Sequence, residues 1–238
     1  KDKVVTTSFL QRMPMARTKY RNYLALMPIA IEQLDVSGYD IVLSSSHAVA
    51  KGVITGPNQL HICYIHSPIR YAWDLQHQYL RETGLNYGLK GMIARCILHY
   101  IRTFDVRSSF GVDYFVANSQ YIARRVKKFY GRDSFVIYPP VSTDDFSLQT
   151  AKQDYFVTTS RLVPYKRVDL IAKTFKSLPD RSLIIIGDGP EYSKISEIVK
   201  GCSNITLKGY LEFEEVVEYM KNAKAFVFAA EEDFGISP

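Results

Sequence analysis

Cysteine is scarce in this sequence. Its three cysteines, Cys63, Cys96 and Cys202, lie far apart, and no C-x-x-C pair is present. An odd and scattered set argues against a disulfide framework and against a cysteine zinc site, and it favours a reducing compartment. An Asp-x-Asp triplet is also missing, so the chain lacks the short carboxylate pair that commonly holds a metal-bound diphosphate.

Long apolar runs are absent as well. No run approaches the roughly 20 residues that a membrane-spanning helix needs. With 47% hydrophobic and 23% charged residues, the 238-residue chain has a globular composition that can form a core. The first residues, Lys-Asp-Lys, show neither a start methionine nor a signal-peptide pattern, and we therefore expect the sequence to begin inside a longer protein.

Positive charge is concentrated in the first part of the chain. Residues 1–150 contain 18 Lys/Arg and 11 Asp/Glu, a net charge of +7, whereas residues 151–238 contain 12 and 13, a net charge of −1. This asymmetry predicts two units with different partners. The basic part is compatible with nucleic acid, an anionic membrane surface, a phosphorylated substrate or a plain solvated surface.

Short apolar runs alternate with helical patterns along the chain, which is typical of βαβ units on a parallel sheet. In the first half the pattern predicts strands over 39–43, 61–65, 114–117 and 135–138 and helices over 85–107 and 120–130. In the second half it predicts strands over 154–158, 183–186, 205–208 and 225–230 and helices over 168–177, 192–200 and 214–222. The proline- and aspartate-containing stretch 139–153 is the best linker, and we predict domains over residues 1–145 and 146–238.

Polar residues and glycines follow the predicted strands. Because open α/β sheets bind ligands outside the carboxyl ends of their strands, these loops together predict a cleft between two domains, although each alone could be an ordinary turn. The loops are 44–47, 66, 118–119, 160–166, 187–190, 209–210 and 231–235.

Three of these loops have side chains suited to chemistry. Arg161 and Lys166 lie five residues apart on a proline-stiffened loop, where they can converge on one dianion or diphosphate. The acids of Glu231–Gly235 could bind sugar hydroxyls near a helix N-terminus that accepts phosphate. His66 ends a strand and could donate a hydrogen bond or transfer a proton. A solvated basic loop, an acidic helix cap and a packed histidine are the simpler alternatives.

The stretch Gly187–Pro190 is a weak nucleotide-binding signal. A dinucleotide fingerprint needs a third glycine where this chain has Tyr192. A tight turn after a buried strand explains both glycines, although a nucleotide could still lie across such a turn.

Taken in order, the motifs resemble those of retaining glycosyltransferases of family 4, which have the GT-B architecture. The matching stretches are HSPIRYAWD at 66–74, VANS at 116–119, YPPV at 138–141, SRLVPYK at 160–166, GDGP at 187–190 and EEDFGI at 231–236. The resemblance implies an α/β protein of two Rossmann-like domains that face a cleft, both incomplete in this chain. The motifs most resemble those of bacterial lipopolysaccharide or exopolysaccharide mannosyltransferases that use GDP-mannose.

The resemblance also implies roles for individual residues. Arg161 and Lys166 would bind the donor diphosphate, Glu232 would be the first glutamate of an E-x7-E motif that holds the donor sugar, and His66 would line that sugar. The residues implied to complete the donor site are Gly187, Asp188, Gly189, Gly209, Tyr210, Asp233, Phe234, Gly235 and Ile236. No metal or other cofactor is implied.

The expected acceptor is lipid-linked or a polysaccharide, with no role for nucleic acid. The expected location is the cytoplasm, on the inner face of the plasma membrane, with contact through the basic half and a helix bearing Lys90, Arg95 and Arg102. The second glutamate of E-x7-E and a glycine-rich N-terminal loop of the family would fall outside the chain. Three other functions remain open: a GT-B nucleotide-sugar epimerase, a non-catalytic sugar-nucleotide-binding partner and, more distantly, a dehydrogenase.

Overall fold

The chain forms two compact α/β units. The computed structural model describes residues 4–238, and the first unit ends at Tyr138 while the second runs from Pro139 to Pro238. Each unit has its own four-stranded parallel sheet. The predicted domain boundary, between residues 145 and 146, falls just after the short 3₁₀ turn Thr143–Asp145 of the second unit.

The sheet of the first unit has the strand order β1-β2-β3-β4, with all pairs parallel. Its strands are β1 (Ile41–Ser46), β2 (Leu60–Ile65), β3 (Tyr114–Ala117) and β4 (Ser134–Val136). Its helices are α1 (Ala16–Lys19), α2 (Met27–Glu32), α3 (Gln76–Glu82), α4 (Gly88–Ser109) and α5 (Gln120–Tyr130), with 3₁₀ turns at Phe9–Arg12, Tyr20–Leu26, Ala50–Gly52 and Arg70–Ala72.

Strand β1 extends further than the sequence predicts. Ser44, Ser45 and Ser46, expected to be a loop, continue the strand and pair with β2. Ser44 and Ser46 are buried. A serine hydroxyl tolerates burial when it forms a hydrogen bond inside the protein. The Ser44 Oγ–His61 Nε2 distance is 2.9 Å. The polar composition of Ser44–Ser46 indicated a loop, but the stretch pairs with β2, and the buried Ser44 hydroxyl has His61 as its partner.

Helix α5 has the bounds that its sequence predicts. Ser119 accepts a hydrogen bond from the Ile122 backbone N–H (3.1 Å) as the N-cap, and Gly131 ends the helix with a φ of +69°. Ile122 and Val126 are fully buried against Cys63 and Phe115 of the sheet. Local capping signals and an apolar stripe therefore agree on this element.

The sheet of the second unit has the strand order β7-β6-β5-β8. Its strands are β5 (Phe156–Thr159), β6 (Leu183–Ile186), β7 (Ile205–Gly209) and β8 (Ala225–Phe226). Its helices are α6 (Val168–Lys176), α7 (Tyr192–Val199) and α8 (Phe213–Asn222), and a second 3₁₀ turn spans Pro164–Lys166. The core between sheet and helices contains Leu162, Ile171, Phe175, Ile185 and Ile195.

The order of the strands reverses at β5. Successive strands β5, β6 and β7 extend the sheet in one direction, and β8 returns to pair with the other side of β5. Ligands of doubly wound sheets bind at such a switch point, outside the carboxyl ends of the strands. The loops after β5 and β8 therefore meet where a ligand is expected.

Strand β8 is shorter than the predicted strand over 225–230. It pairs with β5 only at Ala225 and Phe226, and one further backbone hydrogen bond joins Val227 N to Val157 O (2.8 Å). Beyond Val227 the chain diverges from β5, and the Phe228 ring lies beside the Lys166 side chain. An apolar run predicted a strand to residue 230, but the last backbone hydrogen bond to β5 is made by Val227.

Candidate functional site at the switch point of the second sheet

An ion pair joins the loops after β5 and β8. The Lys166 ammonium donates a hydrogen bond to Glu232 Oε1. The two side chains are 19% and 22% exposed, so the pair is sheltered but open to a ligand. The two residues are 66 positions apart in sequence, and the strand reversal brings them together.

The loop that carries Lys166 is held by buried and hydrogen-bonded residues. Leu162 is fully buried in the core. Lys166 N donates to Val163 O (3.0 Å), which closes the 3₁₀ turn, and Arg167 starts α6 with a left-handed φ of +56°. Because a non-glycine residue rarely adopts this conformation, its occurrence beside Lys166 marks a tightly constrained turn.

Arg161 takes a different position from Lys166. Its side chain is exposed, and its guanidinium has no hydrogen-bond or ion-pair partner within residues 4–238. Lys166 pairs with Glu232, so the two cations share no partner in the described part of the chain. The convergence of Arg161 and Lys166 on one anion stays a prediction.

Gly187 and Gly189 allow two loops to pack backbone against backbone. Their φ values are +135° and +156°. A Cβ atom on Gly187 would lie 1.9 Å from Ser160 O, and one on Gly189 would lie 2.4 Å from Leu162 O. Only glycine fits either position. The tight packing fixes the loop after β5, on which Lys166 lies.

The other residues of the predicted donor site lie at the carboxyl ends of β6, β7 and β8: Gly209 is the last residue of β7, and the rest lie in the loops that follow the three strands. Gly187 N donates to Gly209 O (2.7 Å), Asp188 Oδ1 accepts from Gly189 N (2.7 Å), and Tyr210 is exposed. In the last loop Asp233, Phe234 and Gly235 are partly buried, Gly235 has a φ of +81°, and Ile236 is exposed. The segment Glu231–Pro238 forms no helix.

Ser160 is a residue of this site that sequence reasoning did not single out. Its Oγ atom is buried and has no hydrogen-bond partner among residues 4–238. Its carbonyl oxygen faces Gly187. A buried hydroxyl without a partner is destabilising by about 1–3 kcal/mol, and its position directly after β5 puts this unsatisfied group at the switch point. Its place directly after a strand, at the start of the SRLVPYK stretch, is the signal that could have indicated it.

His66 belongs to the first unit and directly follows β2. Its Nε2 lies 2.9 Å from Ser45 Oγ, and its ring meets Tyr64 edge-on with centroids 5.3 Å apart. Burial lowers the pKa of His66, and the nearby His47 adds to this effect. The imidazole is therefore neutral at pH 7 and suited to hydrogen bonding rather than to holding a charge.

The rest of the 66–74 motif stabilises the first unit. Trp73 Nε1–H donates to Asp105 Oδ2 (2.7 Å), and the Trp73 ring stacks on Phe129 with centroids 4.5 Å apart. Asp74 accepts two hydrogen bonds from the Arg125 guanidinium, at 2.5 and 2.6 Å. These contacts connect the loop after β2 to α4 and α5, and so they fix the chain on which His66 lies.

A buried ion pair lies behind this motif. Lys51 and Asp105 are almost completely buried and paired with each other. The Tyr130 hydroxyl also donates to Asp105 Oδ2 (2.9 Å), and burial raises the pKa of that tyrosine well above its usual range. Sequence reasoning missed this network, because Lys51 and Asp105 are 54 positions apart and both residue types are usually exposed.

Neither a metal cluster nor a membrane-spanning helix occurs in the described part of the chain. Residues 4–238 contain no group of three or more His, Cys, Asp or Glu side chains that could hold a metal ion. No helix among them is long and apolar enough to cross a bilayer.

Residues 142–238 match the family of glycosyl transferases, group 1. The matched stretch contains Lys166, Gly187 and Glu232 and thus the whole site at the switch point. No curated protein matches the sequence.

Solved glycosyltransferases share the fold of the chain. Sucrose-phosphate synthase from Thermosynechococcus elongatus has a TM-score of 0.62 at 14% identity, with 92% of this chain and 58% of that chain covered. A point mutant of S. aureus TarM, solved with Fondaparinux, alpha-GlcNAc-glycerol and UDP, has a TM-score of 0.57 at 18% identity, with 88% and 41% covered.

The lipopolysaccharide outer core galactosyltransferase WaaB, in its apo form, has a TM-score of 0.53 at 18% identity, with 91% and 56% covered. These likenesses confirm the predicted α/β fold of the GT-B class. The chain spans about half the length of these proteins.

Proposed function

We propose that the protein transfers a glycosyl group from a nucleotide-sugar to an acceptor hydroxyl. The observation that carries this proposal is the Lys166–Glu232 pair at the switch point of the second sheet. It provides a cation for a diphosphate and a carboxylate for sugar hydroxyls side by side. The match of this unit to group 1 glycosyl transferases supports the same conclusion.

In the proposed reaction the bond between the anomeric carbon and the diphosphate breaks, and negative charge develops on the leaving group. The Lys166 ammonium stabilises that charge, and the exposed Arg161 adds a second cation when the ligand is bound. The acceptor oxygen forms the new bond to the anomeric carbon, and its proton passes to the leaving diphosphate. Glu232, released from Lys166, accepts hydrogen bonds from the sugar. On the resemblance of the 66–74 motif alone, we also propose that His66 hydrogen-bonds to the donor sugar. We also propose retention of anomeric configuration, with no metal required.

GDP-mannose is the proposed donor, on the resemblance of the 66–74 and 231–236 motifs to mannosyltransferases. UDP-sugars are the first alternative, since TarM was solved with UDP. Calorimetric titration with GDP, UDP and ADP, followed by assays with the corresponding sugars, tests the choice. A donor that binds only the folded protein also raises its stability with concentration.

Substitution of Lys166 tests the proposed site. Lys166→Met should lower transfer by about 100-fold or more, the effect of removing one charge-stabilising group. Lys173→Met is the matched control, because Lys173 is an exposed lysine of the same unit that pairs only with Asp169. Near-normal transfer by Lys166→Met would refute the site. Conversion of the donor without an acceptor would indicate an epimerase, and binding without turnover a non-catalytic partner.

The proposed acceptor is lipid-linked or a glycan, reached at the inner face of the plasma membrane. Support comes from the solvent-facing side of α4, where Leu89, Met92 and Ile93 are 68%, 57% and 50% exposed. Helix α4 contains one acidic residue, the buried Asp105. An apolar stripe with cations and without exposed carboxylates suits an anionic bilayer surface.

The cations of α4 differ in their availability. Arg95 donates to Gly91 O (3.1 Å) and Asn86 O (2.8 Å), and Arg102 donates to Ala72 O (2.8 Å) and Gln76 Oε1 (2.6 Å). Two of the three basic residues expected to face a membrane are thus partly engaged within the unit, while Lys90 is exposed.

Vesicle sedimentation tests the membrane proposal. The protein should bind vesicles with phosphatidylglycerol better than vesicles of phosphatidylcholine alone, and Leu89→Gln with Ile93→Gln should weaken binding. Leu148→Gln is the control, because Leu148 is a highly exposed leucine of the other unit. Equal loss in the control, or no preference for anionic lipid, would refute this surface.

A further inference from the structure

The Lys166 ammonium has aromatic neighbours in addition to its carboxylate partner. Lys166 Nζ lies 5.8 Å from the centroid of the Tyr165 ring and 5.7 Å from that of the Phe228 ring. Both distances fall within the range of a cation–π contact, which is worth more as the cation loses water. With only 19% of the Lys166 side chain exposed, its cation–π contacts are partly desolvated.

Phe228 directly follows the last residues that bond to β5. Phe226 pairs with Val157 in the β5–β8 ladder, and Val227 N donates to Val157 O (2.8 Å). The Phe228 ring in turn stacks on the Phe226 ring, with centroids 6.2 Å apart and planes within 21°. The Phe228 side chain has two rotatable bonds and an aromatic neighbour, whereas the lysine side chain has four rotatable bonds, so the ring is the less flexible partner of the contact.

We propose that Phe228 is a positioning residue for Lys166: its ring holds the ammonium at the switch point so that the cation is in place when the diphosphate of the donor arrives. This inference rests on the proposed function. Glu232 cannot keep that role in the ligand-bound protein if its carboxylate turns to the sugar, whereas the ring face does not compete with phosphate oxygens for the N–H groups of Lys166. The aromatic contact can persist through binding.

Nuclear magnetic resonance tests the contact without any ligand. A proton over an aromatic face resonates upfield, so the Lys166 ε-methylene signal, assigned through Lys166→Arg, should be shifted in the wild-type chain. Phe228→Leu should remove much of the shift, Phe228→Tyr should retain it, and Phe213→Leu, a matched change elsewhere in the same unit, should leave it unchanged. An unchanged Lys166 signal in Phe228→Leu would overturn the contact.

Binding of GDP, UDP and ADP, measured by calorimetry, tests the role. Phe228→Leu should raise the Kd of the preferred nucleotide by about 2- to 30-fold, which corresponds to one cation–π contact. Phe228→Tyr should stay within about twofold of the wild type, because tyrosine has a comparable ring face. If Phe228→Leu does not fold, Phe228→Met fills a similar space without a ring and replaces it.

A double-mutant cycle separates positioning from packing. In a Lys166→Met background, Phe228→Leu should cause no further rise in Kd, because the group that the ring positions is gone. An equal rise in both backgrounds would show that Phe228 acts through packing alone and would overturn the inference. If the wild-type chain binds none of the three nucleotides, the proposed function fails, and the diphosphate role of Phe228 fails with it. The Lys166 signal would still decide the contact itself.

Discussion

Replacing Gly187 by alanine puts a methyl group against the carbonyl oxygen of Ser160. The Cβ–O distance would be 1.9 Å, and Gly187 has a φ of +135°. The strained backbone is destabilising by about 1–3 kcal/mol. The overlap with a backbone atom, which cannot rotate away, adds about 1–3 kcal/mol. Gly187→Ala should therefore lower the free energy of unfolding by about 2–6 kcal/mol.

Gly201→Ala is the matched control for this substitution. Gly201 has a φ of +77° in the same unit, and a methyl group on its Cα would have no atom within 4 Å. Only the left-handed conformation then contributes, about 1–2 kcal/mol. The difference between the two variants isolates the close approach of the loops after β5 and β6.

Calorimetry and hydrogen exchange measure the outcome. For a unit of this size 1 kcal/mol corresponds to a shift in Tm of about 4–8 °C, so Gly187→Ala should lower Tm by about 10 °C or more. Amide exchange should rise first in the paired strands β5 and β6, because the two loops begin at their carboxyl ends. Equal losses of Tm in Gly187→Ala and Gly201→Ala would refute the argument that backbone packing requires this glycine.

Three further predictions concern the first unit. Asp105→Asn should destabilise this unit by about 3–5 kcal/mol in urea titrations, because Lys51 is left buried without its counter-charge. The control Asp133→Asn, which removes the carboxylate of an exposed ion pair, should change stability by less than about 1 kcal/mol. Ser119→Ala should lose about 1 kcal/mol by the same measurement, since the α5 N-cap is removed; no loss would contradict the capping bond. Burial lowers the pKa of His66 in the folded protein, so its contribution to stability is complete above the unfolded pKa of about 6.5 and declines as the pH falls through and below that value. Urea titrations between pH 5 and 8 should show a weaker decline in His66→Gln, and equal declines in both proteins would refute the shift.

The sequence predicted the type and order of the main β-strands and longer helices. The bounds of β3, α5 and β6 agree with the prediction at both ends, because apolar periodicity, caps and turn residues are local signals that act within a few positions. The predicted bounds were wrong for strands whose extent depends on pairing with a distant segment. Ser44–Ser46 form strand rather than loop, and in the run from Ala225 to Ala230 the last backbone hydrogen bond to β5 is made by Val227.

For the candidate site, too, the sequence indicated individual residues, whereas the contacts between them follow from the tertiary structure. The residue pattern indicated Lys166 and Glu232 as separate residues of two loops, each with a simpler alternative, and only the family resemblance placed both in one donor site. Their contact depends on the strand order β7-β6-β5-β8, which results from pairing between distant segments and leaves no local trace. Phe228 and the Lys51–Asp105 pair were not found in advance for the same reason, and Ser160, although part of the SRLVPYK stretch, had no role assigned to it.

What the sequence determined by itself is therefore the set of α/β elements and the loops that carry polar groups, since both follow from residue types at short spacing. What only the tertiary structure decided is which of those groups meet. Gly187 and Gly189 illustrate the difference. From the sequence alone these glycines could mark a turn or a nucleotide site. In the structure they lie against Ser160 O and Leu162 O, where the two loops pack with no room for a side chain.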